Sequence, residues 1–138
     1  LSKFSDITAE IKEILEGVTG IGIVHDRFRS ADDAKSLLEL FKYEDEYKGV
    51  MFRRASETPE DNESAEYSAT YDLMLVHQLN DENNSEHAVQ ELYEDIKTAF
   101  ADSDLSDSKI SMNFEDAPIG DILCHVISMQ VEVQLNNL

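Results

Sequence analysis

The chain has no tryptophan, a single cysteine, two prolines and five glycines in 138 residues. A lone thiol, Cys124, excludes an internal disulfide framework and a multi-cysteine zinc site, and fits synthesis in a reducing cytosol. So little proline and glycine excludes collagen-like and low-complexity architectures. No apolar run approaches the roughly 18 residues that span a bilayer, and none of the partners expected below is a membrane. The opening Leu1-Ser2-Lys3-Phe4-Ser5 lacks the apolar centre and small-residue cleavage site of a Sec signal, so Sec export is not expected. Positive charge is also scarce: 11 Lys and Arg stand against 30 Asp and Glu, a net charge of -19. That balance excludes tight nucleic-acid binding by phosphate neutralisation, which needs clustered cations. It suits a surface past which nucleic acid slides without sticking, a basic protein partner, or a high-salt environment.

Hydrophobic residues make up 41% of the chain, enough for one core, and residues 1–138 read as a single domain. Ser5 is placed to cap a helix whose apolar positions Ile7, Ile11, Ile14, Leu15 and Val18 recur at three and four, and Gly17 and Gly20 end it. Ile21 to Arg29 reads as a short strand running into a loop. Ser30 and Asp33 resemble a capping box for a second helix, with Ala34, Leu37, Leu38 and Phe41 as its stripe and an end near Tyr43. Gly49 breaks the pattern before a strand from Val50 to Ala55, and the acidic stretch from Glu57 to Glu66 reads as a solvated loop. Strict alternation from Tyr67 to Leu79 marks a long strand antiparallel to the previous one. Ser85 caps a third helix with the stripe Val89, Leu92, Tyr93, Ile96 and Phe100. Ile110, Met112 and Phe114 alternate, Pro118 and Gly120 turn the chain, and Leu123 to Leu135 alternate again. The predicted order α-β-α-β-β-α-β-β is an α+β domain: a mixed, mainly antiparallel sheet with a long β-hairpin, packed by about three helices. At about 3.3 Å per residue the last strand spans roughly 43 Å. The radius of gyration of such a domain is about 14 Å, so the strands bend or a hairpin projects.

Few residues group into a chemical signature. His25-Asp26 and Cys124-His125 place possible metal ligands side by side, but strand neighbours point to opposite faces and do not share one ion easily. The same opposition argues against a Cys124-His125 nucleophilic pair. His125 reads as a residue of the core face and Cys124 as a small buried hydrophobe. Gly17-Val18-Thr19-Gly20-Ile21-Gly22 lacks the Lys-Ser/Thr of a phosphate loop and precedes a strand. Paired acids such as Asp32-Asp33, or Glu57 with Glu60 and Asp61, read as solvated charges. Arg53 and Arg54 project to opposite faces, so one of them is expected to meet an acidic side chain.

Gly20-Ile21-Gly22-Ile23-Val24-His25-Asp26-Arg27-Phe28-Arg29, the helix around Leu37-Leu38-Glu39-Leu40-Phe41-Lys42, Gly49-Val50-Met51-Phe52-Arg53-Arg54-Ala55 and Asp121-Ile122-Leu123-Cys124-His125-Val126 occur in that order. Together they resemble the tail-terminator or tail-completion proteins of long-tailed phages, a group that includes the Mu-like contractile-tail terminators and, more remotely in fold, the lambda minor tail protein U. The very acidic loops and the absence of tryptophan depart from that pattern. The resemblance implies a non-enzymatic virion protein without cofactor, assembled in the host cytoplasm. It would form a homohexameric ring on the head-proximal end of the tail tube, where it stops polymerisation and presents the head-joining surface. Its implied partners are further copies of itself, the tube protein, and sheath and head-tail connector proteins, with DNA passing through the lumen unbound. The residues expected at assembly contacts are His25, Asp26, Arg27, Phe28 and Arg29, then Arg53 and Arg54, and Glu57, Glu60, Asp61 and Glu63 in the acidic loop. An acidic DNA-mimic inhibitor is the alternative, and a metal-dependent hydrolase built on His25, Asp26 and His125 is a third reading.

Overall fold

A computed structural model of the chain describes residues 3–58 and 66–136. Three- and four-residue apolar spacing makes one face of α1 (Lys3–Glu16) hydrophobic, and Ile7, Ile11, Ile14 and Leu15 on that face are buried. Ser5 lies inside its first turn instead of capping it, because the helix already begins at Lys3. After the turn through Gly22, β1 (Ile23–His25) pairs parallel with β3 (Glu46–Thr58). Two glycines permit the approach. A Cβ on Gly49 would lie 2.5 Å from the Ile23 carbonyl oxygen, and one on Gly22, whose φ is 82°, would run into the Lys48 carbonyl. Gly49 therefore sits inside β3 and does not break the strand.

The second helix is shorter than expected. α2 covers Ala34–Glu39, because the Asp33 carboxylate, and not Ser30, accepts the Ser36 N–H at 2.7 Å. Its C-terminal side is cut short where β2 (Lys42–Tyr43) folds back on β3, with Glu44 at a φ of 55° in the turn. β3 and β4 (Glu66–Gln78) are antiparallel. Glu57, Thr58 and Glu66, expected in a loop, belong to these strands, and residues 59–65 between them lie outside the described residues. A 3-10 turn at Asp81–Asn83 leads to α3 (Ser85–Ala101), whose cap position is Asn84 and not Ser85. β5 (Lys109–Ile119) and β6 (Ile122–Asn136) complete the chain. Pro118 belongs to β5, which tolerates a missing N–H because it is the outermost strand.

The chain is thus a single α+β domain, whose described residues form three α-helices and a mixed six-stranded sheet in the order β1-β3-β4-β6-β5, β2 pairing separately with β3. One sheet face lies under α1 and α3 and buries Phe52, Tyr71, Leu73, Leu75, Ile127 and Met129 in one cluster. That burial continues as far as Ala69 and Val133, so the long alternating strands stay covered there. On the other face Leu38, Phe41, Met51, Val76 and Cys124 form a smaller cluster at the α2 end. Among the described residues no helix is long and apolar enough to cross a membrane. Gly49→Ala should push β1 off β3 and cost about 1–3 kcal/mol, as overpacking does in a filled core. Urea unfolding monitored by circular dichroism measures this, and an unchanged midpoint would show that β1 is not held by that contact.

Candidate functional site

Strand alternation divides the expected assembly residues between the two sheet faces. Arg53 is exposed on the face opposite α1 and α3, and its guanidinium stacks 4.3 Å from the centre of the Phe28 ring. Phe28 packs on the smaller cluster and borders a groove of about 450 Å³ whose polar lining includes Asp72, Ser111, Asn113, Ser128 and Gln130. Arg29 lies close by, its backbone N–H donating to Met51 Sδ at 3.4 Å. Asp26 and Arg27 pair at 3.7 Å on the surface, a contact of little energetic weight. The His25 Nε2 is 2.7 Å from the Leu40 carbonyl oxygen, so its proton satisfies a carbonyl at the end of α2. His25 therefore ties β1 to α2.

Arg54 projects to the other face. It donates to Glu57 at 3.1 Å and to the Tyr71 hydroxyl at 3.4 Å, so the arginine that meets an acid does so within its own chain. Phe28, Arg29 and Arg53 come together, while Arg54 and Glu57 form a separate group. Glu60, Asp61 and Glu63 lie outside the described residues. His25-Asp26 and Cys124-His125 do not meet, because β3 and β4 separate β1 from β6. Among the described residues no three His, Cys, Asp or Glu side chains converge as metal ligands. Cys124 is fully buried and burial pushes its thiol pKa up, which leaves it unreactive.

A polar line absent from the sequence reading runs through the β5–β6 hairpin. Gly120, at a φ of 64°, opens a two-residue turn, and the resulting register sets Asp116 opposite His125. His125 Nδ1 donates to Asp116 Oδ1 at 2.6 Å, and the Ser85 hydroxyl lies 2.9 Å from Nε2. With Nδ1 carrying the proton of a neutral ring, Nε2 accepts from Ser85, whose Oγ in turn accepts the Asn80 N–H at 2.7 Å. The sequence signal was the hairpin count about Gly120-Asp121, hidden when Pro118 is read as part of the turn. The order hydroxyl, imidazole, carboxylate is that of a nucleophilic triad. Ser85 and His125 are only 3% and 2% exposed, however, and in this conformation no substrate carbonyl reaches the hydroxyl. The line works as a strut from the start of α3 through β6 to β5.

His77 lies opposite His125 in the neighbouring strand, the ring centres 6.5 Å apart. Burial pushes the His77 pKa below the ordinary histidine range. The Gln78 carbonyl and Glu46 oppose the shift, and Lys48 and His125 reinforce it. On the helix layer acids crowd one another: burial, with Asp104 and Glu13 nearby, pushes the Glu10 carboxyl up. No protein-family model matches the sequence, and no curated protein matches it.

Ser85→Ala leaves the Asn80 N–H and His125 Nε2 unpaired inside the protein and should cost about 1–3 kcal/mol. Equilibrium denaturation measures it; a loss below about 0.5 kcal/mol, ordinary for a surface change, would show that the strut carries no load. His77 gives a pH signature. Its folded-state pKa is depressed, so the unfolded chain binds more protons. The stability it contributes is present above about pH 6.5 and is lost as pH falls through the folded value. His77→Gln should flatten the decline of unfolding free energy that sets in as pH falls below about 6.5. An unchanged slope would reassign that decline to other groups.

Proposed function

We propose that this chain is a structural protein of a phage tail, a terminator that closes into a homo-oligomeric ring at the head-proximal end of the tail tube. There it stops polymerisation and offers the surface for head joining, and its place is the virion. The supporting observation is the shape of the sheet: among the described residues its outer strand edges on opposite sides have no strand partner, and one of its faces is covered at the α2 end alone. Such edges suit the addition of like subunits around an axis. The sequence resemblance spanning the Gly20–Arg29, Gly49–Ala55 and Asp121–Val126 segments points the same way. A net charge of -19 suits a ring whose bore repels the phosphates of passing DNA. In this reading the Ser85-His125-Asp116 line is structural and the protein performs no chemistry.

Light scattering over a wide concentration range, at low and moderate salt, tests the reading together with negative-stain images of the largest species. Six copies of a 15.6 kDa chain should give a ring of about 94 kDa. A dimer of constant mass across all concentrations would overturn it and favour the acidic DNA mimic.

A further inference from the structure

Among the described residues β1 pairs with residues 49–51 of β3 and β2 with residues 46–47, and from Phe52 to Thr58 no described strand lies on that side of β3. At the far side of the sheet β5 pairs with β6, and no other described strand pairs with its outer edge. The pairings run antiparallel from β3 through β4 and β6 to β5, so β3 and β5 point in opposite directions. If copies are repeated by rotation about an axis along the strands, β5 of one copy arrives antiparallel beside β3 of the next. We propose that the free edge of β5 in one copy adds antiparallel to the residue 52–58 edge of β3 in a second copy, with Glu115 facing Arg53. Only the purpose of the assembly rests on the terminator reading; the contact rests on the two edges.

The charges select this pairing over its alternatives. Register places Glu115 with Val126 and Arg53 with Asp72, on the face away from α1 and α3, so the two side chains fall on one face of a joined sheet. Glu115 is exposed, and Arg53 is exposed with its guanidinium held over Phe28. On the opposite face Asp116 falls diagonally near Arg54 when Glu115 opposes Arg53. A β5–β5 pairing centred on this region would set acids against acids, and a β3–β3 pairing arginines against arginines, each unfavourable. The helix layer is the more acidic side: Glu13 and Glu16 on α1 and Glu86, Glu91, Glu94 and Asp95 on α3 are all exposed, and two such surfaces repel. A contact between different edges is heterologous, so it propagates until the rotation closes a ring or extends a filament.

Arg53→Cys and Glu115→Cys chains, mixed under mild oxidation, test the contact; buried Cys124 stays in place as an unreactive residue. A mixed covalent dimer is expected on non-reducing gels, with neither variant cross-linking to itself. The Arg53→Cys/Glu115→Cys chain should give a ladder that ends in one closed species. No mixed dimer at the highest soluble concentration, or self-linking of either single variant as strong as the mixture, would overturn the proposal. Charge exchange supplies an independent reading: Arg53→Glu should weaken self-association by about tenfold or more, and adding Glu115→Arg should restore it. Failure to restore would also overturn the contact. A closed six-copy ring without mixed cross-links sinks this contact and leaves the terminator standing. A cross-linked ladder that only lengthens into open fibres supports the contact and sinks the terminator.

Discussion

The register between β4 and β6 is the constraint on which the rest of the molecule depends. It sets Tyr71 opposite Val131, Leu73 opposite Met129 and Leu75 opposite Ile127, all beneath α1 and α3. A slip of one residue would turn this entire set to the other face and bring Asp72, Ser128 and Gln130 into the core. The pairing is thus specified by burial. With it fixed, β3 and β5 are added outside, and their registers on β4 and β6 determine where their edges lie. The positions of Arg53 and Glu115 follow from the core and not from local sequence.

Charge is arranged on top of that frame in an uneven way. The helices need one apolar stripe each, which leaves their outer faces open to acids with no packing penalty. Burial first, and then the nearby acids Asp104 and Glu13, raise the Glu10 carboxyl on this layer. The sheet is different. The groove on its other face has serine, asparagine and glutamine together with Asp72 as its polar lining, and Phe28, on which Arg53 stacks, borders it. A chain of such negative charge can associate with itself only where its charge is locally reversed or absent. Residues 27–29 and 53 are one place among the described residues where that condition is met.

Most of the architecture is legible in the sequence because periodicity is a direct image of burial. The stripes of α1 and α3 and the alternation of β4 and β6 are long enough to leave no ambiguity. Boundaries are less legible where two local rules compete. Ser30 and Asp33 both suit a helix cap, and only the geometry of the Ser36 N–H distinguishes them. Gly49 looks like a breaker, yet it is required by the close passage of β1, a non-local contact that leaves no periodic trace. Pro118 looks like a turn residue and is one of an edge strand. Of the assembly residues, the opposite directions of Arg53 and Arg54 follow from alternation. The stacking of Arg53 on Phe28 does not, because it joins residues on different elements.

The Ser85-His125-Asp116 line shows how the same three groups take on different work according to exposure. A catalytic hydroxyl must reach a carbonyl, and its imidazole must exchange a proton with a leaving group. Here the hydroxyl is already engaged by the Asn80 N–H and both groups are shut from solvent. What the line can transmit is position. It begins at the first residue of α3, crosses β6 and ends on Asp116, which lies on the edge strand itself. An edge strand with one neighbour is the least constrained part of a sheet, and it is the part that must hold its shape if another chain is to add to it. Tying Asp116 to a buried histidine and through it to α3 fixes the middle of β5 from the interior and holds that carboxylate on the helix-covered face. Glu115, one residue earlier and pointing the other way, is left as the acid of β5 that faces the opposite side.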